Sequence, residues 1–196
     1  MHSNEHSNKS GNNRGTGYVT RKELKSHRDY VHLLQQVDNG EMIRVKAGVY
    51  ARPDTLGESV PDISRIIPGG ILCLYSAWSH HQLSTQIPTS ICVAVKRGRK
   101  IVLPAYPIIT LYRISDAFLN LGLIHEQVCN HLLPVYDQER CVCDALRYRN
   151  KIGMETCSEI LHRYLRHPKR NLDKLHSYAT QLRVNSVLST YLQITL

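Results

Sequence analysis

Tyr18 to Arg52, YVTRKELKSHRDYVHLLQQVDNGEMIRVKAGVYAR, carries two helix signals and a hairpin signal in close succession. Thr20 suits the N-cap of a helix over Arg21 to Ser26, and Glu23 three residues later completes a capping-box pattern. His27 breaks that pattern. A second helix then runs from Arg28 to about Asp38 and stops at Asn39-Gly40. From Met42 to Arg52, apolar and basic residues partly alternate around a small turn at Lys46-Ala47-Gly48, which predicts a β-hairpin. Helix, tight turn, helix and hairpin in this order is the layout of a winged helix-turn-helix core.

The second helix can be read by phase. At about 100° per residue, Tyr30, Leu33, Leu34 and Val37 gather on one side, and Arg28, His32 and Gln35 fall within about 60° of one another on the other. Arg pairs bidentately with guanine and Gln with adenine in the major groove, so this face is a candidate reading surface. Arg44, Lys46 and Arg52 put positive charge on the hairpin, where phosphate contacts add affinity without sequence information. Thr20, Arg21 and Lys22 complete the candidate DNA-binding set with Arg28, His32, Gln35, Arg44 and Lys46. Residues 1–52 hold nine Lys and Arg against five acids. The competing reading is a helical hairpin with an ordinary solvated basic face.

Outward from this module, 196 residues allow one domain or two small ones, with enough length for a real core. Lys and Arg number 25 against 16 acids, a net charge of +9, with 42% hydrophobic residues. That balance fits a basic, folded, soluble protein. The greasiest run, Ile101 to Tyr112, is broken by Pro104 and Pro107, so no membrane partner is expected. Residues 1–17 lack the apolar segment of a signal peptide and read as a disordered polar arm carrying Lys9 and Arg14. None of the six cysteines forms a C-x-x-C pair, and they read as reduced thiols in a cytoplasmic protein.

The expected organisation is an arm at 1–17, a winged helix-turn-helix at 18–54, a linker at 55–68 and a C-terminal domain at 69–196. Pro53, Gly57, Pro61 and Pro68 place the boundary. The fold class is α+β, the second domain combining a mixed β-sheet with amphipathic helices. Ile71 to Leu83 reads as a helix. Strands are expected at Ile91 to Val95, Ile101 to Leu103, Ile108 to Ile114 and about Leu133 to Tyr136, and helices from Cys141 onward. Met154, Cys157, Ile160, Leu161, Tyr164 and Leu165 mark one helical stripe. Leu172, Leu175, Tyr178, Ala179 and Leu182 mark the next, and Val184, Val187, Leu188, Tyr191 and Leu192 the last.

Little in the second domain points to catalysis. Asp137, Glu139 and Asp144 with Lys151 suggest a metal-dependent nucleic-acid-processing enzyme, but the spacing matches no nuclease motif. The competing reading has Asp137 capping a helix and Asp144 pairing with Arg147 or Arg149. Cys141 and Cys143 with His131 or His162 lack zinc-knuckle spacing. His80-His81 reads as a helix-end cap rather than the base for a nucleophile at Ser76, Ser79 or Ser84. No catalytic residue, metal ligand or cofactor is therefore expected. Residues 140–170 hold eight bases, Arg140 among them, against three acids, so Arg147, Arg149 and Lys151 mark a second candidate surface.

Taken in order, several segments resemble the AbiEi family of antitoxins from type IV toxin-antitoxin (abortive infection) systems. They are Gly17-Tyr18-Val19-Thr20-Arg21-Lys22-Glu23-Leu24, Gly40-Glu41-Met42-Ile43-Arg44-Val45 with Gly48-Val49-Tyr50, Leu72-Cys73-Leu74-Tyr75-Ser76-Ala77, and His81-Gln82-Leu83-Ser84-Thr85-Gln86-Ile87-Pro88. Ala94-Val95-Lys96-Arg97-Gly98, Asp144 to Gly153, Tyr178-Ala179 and Arg183-Val184 follow. The resemblance implies a non-enzymatic autorepressor that binds operator DNA of its own promoter. It also implies a C-terminal domain that counters a nucleotidyltransferase-like toxin, with Arg147, Arg149 and Lys151 as its antitoxin surface. This chain departs from the family pattern in that residues 1–17 do not read as the helix frequent before Gly17, and in having His27-Arg28 where a Ser-Arg pair is frequent. A stand-alone transcription factor that senses a small ligand is a further alternative.

Overall fold

A computed structural model describes residues 17–57 and 60–195. The arm expected at 1–17 lies outside them except for Gly17. The chain is α+β, with one three-stranded and one five-stranded sheet.

The first sheet joins β1 (Tyr18–Thr20), β2 (Ile43–Lys46) and β3 (Val49–Ala51) in the antiparallel order β1-β3-β2. Gly48, at φ 74°, supplies the left-handed residue that turns β2 into β3. Because side chains alternate across a strand, this sheet is buried on both faces. Val19 and Tyr50, with Met42, pack under Leu33 of α1 (His27–Asp38). Tyr18, Val45, Val49 and Ala51 point the other way, into the main core.

Only one of the two expected helices of this module is present. Thr20 donates its N–H to the Glu23 carboxylate at 2.9 Å, as the capping-box pattern predicts, but the helix is a single 3-10 turn, Arg21–Glu23. The chain is already extended at Leu24 because Ser26 starts a second capping box. Asp29 N–H donates to Ser26 Oγ at 3.2 Å, and Ser26 N–H donates to Asp29 Oδ2 at 3.0 Å. His27 is therefore the first residue of α1 rather than a break before it.

The described residues of the expected linker, 55–57 and 60–68, are structured. They hold the end of α2 (Pro53–Leu56) and all of α3 (Ile63–Ile66), and Ile63, Ile66 and Ile67 are buried in the main core. Arg65 pairs with Glu23 and with Asp62, and donates to the Tyr18 carbonyl at 3.4 Å. Residues 60–68 thus fasten the N-terminal sheet to the body instead of separating them.

The second sheet has the order β6-β5-β4-β8-β7. Its strands are β4 (Ile71–Leu72), β5 (Ile91–Lys96), β6 (Ile109–Ile114), β7 (Leu123–Val128) and β8 (His131–Tyr136). β5 runs parallel to β6 and β4 to β8, whereas β4–β5 and β7–β8 are antiparallel. The expected helix at Ile71 to Leu83 begins as strand β4, and only α4 (Leu74–His80) is helical. Ile101 to Leu103 forms no strand, and Val102 is 77% exposed. β7 and the short α5 (Asp116–Leu119) are absent from the sequence-based expectation.

Four helices complete the chain: α6 (Gln138–Ile152), α7 (Met154–Arg166), α8 (Leu172–Gln181) and α9 (Asn185–Thr195). Trp78 of α4 is fully buried and donates its indole N–H to the Cys141 carbonyl at 3.1 Å, locking α4 to α6. Cys157, Ile160, Leu161 and Tyr164 bury the expected stripe of α7, with Met154 left exposed at its start.

Candidate nucleic-acid interface

On α1, Arg28, His32 and Gln35 are all exposed, on the face opposite the buried Leu33. Leu34, expected inside with Leu33, is instead 37% exposed, and Val31 is 41% exposed. Their phase explains it: Val31 lies about 60° from Arg28 around the helix, and Leu34 is farther from Leu33 than Tyr30 or Val37 is. The outward face of α1 thus carries guanidinium, imidazole and amide groups with the aliphatic Val31 among them, while Leu34 sits at the border of the packed arc. Those are the groups that meet base edges and thymine methyls.

The 3-10 turn lies beside the hairpin, since Arg21 N–H donates to the Gly48 carbonyl at 2.9 Å. The Arg21 guanidinium stands 4.6 Å over the Tyr30 ring, which ties the turn to the first half of α1. Arg21, Lys22 and Arg44 are exposed, and Thr20 and Lys46 are half-buried. Burial and the charge of Arg99 hold the Lys46 ammonium below its ordinary pKa range. Arg99 belongs to the basic turn after β5, and its guanidinium donates to the Pro68 carbonyl. That turn therefore adds positive charge next to the hairpin, a proximity that sequence separation hides. Glu23 is spoken for: burial raises its pKa, but the Thr20 amide and Arg65 outweigh that and bring it below the usual value.

In the C-terminal part, Arg147 and Lys151 are exposed on the last turns of α6, and the Lys151 ammonium lies 5.8 Å from the Tyr148 ring centre. Arg149 is half-buried and donates to the Leu146 carbonyl at 3.0 Å. Arg140, counted with them as a surface charge, is fully buried. Its guanidinium pairs with Asp144 at 3.0 Å and donates to the carbonyls of Phe118 and Leu121 at 2.8 and 2.9 Å. Burial works against the charge on Arg140, but the Asp144 carboxylate prevails and raises its pKa.

The carboxylates weighed as a metal site are engaged in the same framework. Asp137 caps α6, accepting the Arg140 N–H at 2.8 Å, and pairs with Lys174 at 3.0 Å. Glu139 takes the Tyr164 hydroxyl at 3.0 Å and Lys174 at 3.3 Å. Asp144 pairs with Arg140, not with Arg147 or Arg149. Cys141 and Cys143 are buried, their thiols directed at the carbonyls of Tyr136 and Leu175. His81 is the C-cap residue of α4, as a helix-end reading requires.

No family model matches the chain, and no curated protein matches it either. Among the described residues, no helix is long and apolar enough to cross a membrane.

Proposed function

We propose that the N-terminal module binds duplex DNA in the manner of a winged helix. Helix α1 enters the major groove and the β2–β3 hairpin lies on the flanking phosphates. The observation that carries this reading is the solvent face of α1, where Arg28, His32 and Gln35 stand exposed, in the same small module as a hairpin that bears an exposed Arg44 and a half-buried Lys46. Arg28 and His32 lie in the first half of the helix, the half that usually meets base edges. Arg21 and Lys22 flank them as phosphate contacts. Burial of the sheet on both faces supports the same reading, because it holds the hairpin and α1 in one rigid arrangement and so lowers the ordering cost of docking.

Within this reading the chain acts as an autorepressor and antitoxin of a type IV system, opposing a nucleotidyltransferase-like toxin without catalysing a reaction. The antitoxin part rests on the family resemblance, with Arg147, Arg149 and Lys151 as the surface that meets an acidic partner or competes for an anionic target. Co-expression of the full chain with a toxin gene encoded beside it tests this part: growth is restored by the wild type and lost with Arg147→Ala. Full rescue by the Arg147, Arg149 and Lys151 alanine variants together would remove that surface from the account. Binding to the upstream promoter duplex tests the repressor part.

A further inference from the structure

Two imidazoles and a carboxylate meet where the C-terminal end of α4 faces β7. His80 Nε2 lies 2.7 Å from Glu126 Oε2, and His81 Nδ1 lies 3.9 Å from the same oxygen. One donor atom from each residue falls within 4.8 Å of the others, and no other such group of His, Cys, Asp and Glu occurs among the described residues. The second nitrogen of His81, Nε2, lies 2.7 Å from the Tyr136 carbonyl oxygen. A carbonyl only accepts, so Nε2 carries the proton and donates it, and the lone pair is left on Nδ1, facing Glu126. Metal-bound histidines are typically held this way, one nitrogen fixed by a carbonyl and the other presented to the ion.

We propose that His80, His81 and Glu126 bind a Zn²⁺ ion through two imidazole nitrogens and one carboxylate oxygen. This donor set suits zinc, and three protein ligands leave a fourth tetrahedral position for water or an anionic group. Tetrahedral donors about 2.0–2.1 Å from the ion stand roughly 3.3 Å apart, so on binding the His80–Glu126 pair opens and the His81–Glu126 pair closes, each by about 0.6 Å. The freedom to close lies in Glu126, which is 43% exposed, while His81, 5% exposed, is the fixed point. His80 also lines a groove with Ser79, Pro107 and Val128, which gives the ion a route in. β7 is the edge strand next to β8, so the ion would clip this edge to α4, whose Trp78 is anchored in the core.

Titration of Zn²⁺ into the full chain, followed by calorimetry, tests the site. The wild type is expected to bind one ion with micromolar or tighter affinity. Glu126→Gln, which keeps the size of a half-exposed side chain, is expected to weaken binding at least tenfold, about the smallest loss seen even for outer partners of metal ligands. His80→Gln removes a ligand outright and weakens binding further, while His162→Gln, exposed on α7, leaves the affinity unchanged. Co²⁺ in place of Zn²⁺ gives a tetrahedral visible spectrum with no thiolate charge-transfer band. Zn²⁺ also slows amide exchange along β7 in the wild type and not in Glu126→Gln. The proposal is overturned if the wild type binds no stoichiometric Zn²⁺, if Glu126→Gln binds as tightly as the wild type, or if the Co²⁺ spectrum shows a thiolate ligand. Glu126→Gln decides the matter alone if His80→Gln does not fold.

Discussion

Replacing Asp144 with alanine removes the one carboxylate that, among the described residues, pairs with the buried guanidinium of Arg140. Both side chains are out of solvent, at 0% and 5% exposure, so water cannot stand in for the lost partner. Two of the guanidinium's contacts, to the Phe118 and Leu121 carbonyls, survive the change, but they carry no neutralising charge. Breaking a buried pair by removing one member costs about 3–5 kcal/mol, a large part of the roughly 5–15 kcal/mol that holds a typical protein folded. For a chain of this length that is a fall in Tm of roughly 6–20 °C. Thermal unfolding followed by circular dichroism measures it directly. Arg140→Met paired with Asp144→Leu should lose less stability than the two single changes added together, because no uncompensated charge remains. A catalytic or metal-binding Asp144 predicts the reverse, with stability held or raised and an activity lost. A fall of less than about 2 °C for Asp144→Ala, equivalent to no more than about 1 kcal/mol, would refute the structural role assigned to this pair.

A fragment of residues 69–196, the C-terminal domain expected from sequence, should fold poorly, whereas 60–196 should keep its structure better. The shorter fragment loses Ile63, Ile66 and Ile67, each worth roughly 1.5–3 kcal/mol of burial, and comparison of their denaturant midpoints shows the difference. Glu23 has a lowered folded pKa, so its stabilising contribution is present above the unfolded value and disappears as pH falls through the folded one. Glu23→Gln should therefore narrow the stability difference between neutral and acidic pH, read from denaturant midpoints across that range. Arg28→Ala and Gln35→Ala should change which bases are preferred, while Arg44→Ala and Lys46→Ala weaken binding to all duplexes alike and lower the salt slope by about one each. Anisotropy titrations against a panel of mutated sites separate the two behaviours.

What was legible in the sequence was periodic and local. The stripes of α7 and α8 carry 3.6-residue spacing, and the β-branched runs of β5 and β6 stand out against the turns around them. The Thr20–Glu23 capping box was readable too, although not the single turn it closes, because Ser26 and Asp29 compete with it for the next residues. Elements stabilised from a distance were not legible. β7 reads Leu-Ile-His-Glu-Gln-Val, an edge strand with half its residues polar, and it is placed by pairing with β8. α3 is four residues long, too short to show a period, and its isoleucines are buried by elements far along the chain. Arg140 looks like any surface arginine until the carbonyls of residues 118 and 121 arrive beside it. The same distance hides Glu126 from His80 and His81, whose tandem order alone suggests only a helix end. In the candidate interface, the phase of α1 located Arg28, His32 and Gln35 but not the exposure of Leu34, which sits at the border of the apolar arc.

Binding of the full chain to the duplex upstream of its own coding sequence, measured across a salt series against random duplex of equal length, decides whether the N-terminal module reads DNA. Four phosphate contacts, from Arg21, Lys22, Arg44 and Lys46, predict that log K falls with log salt at a slope of about −3.6. Base contacts from α1 predict a preference for the upstream duplex of about 10³ or more at near-physiological salt. Equal affinity for both duplexes, or a slope near zero, would contradict the account.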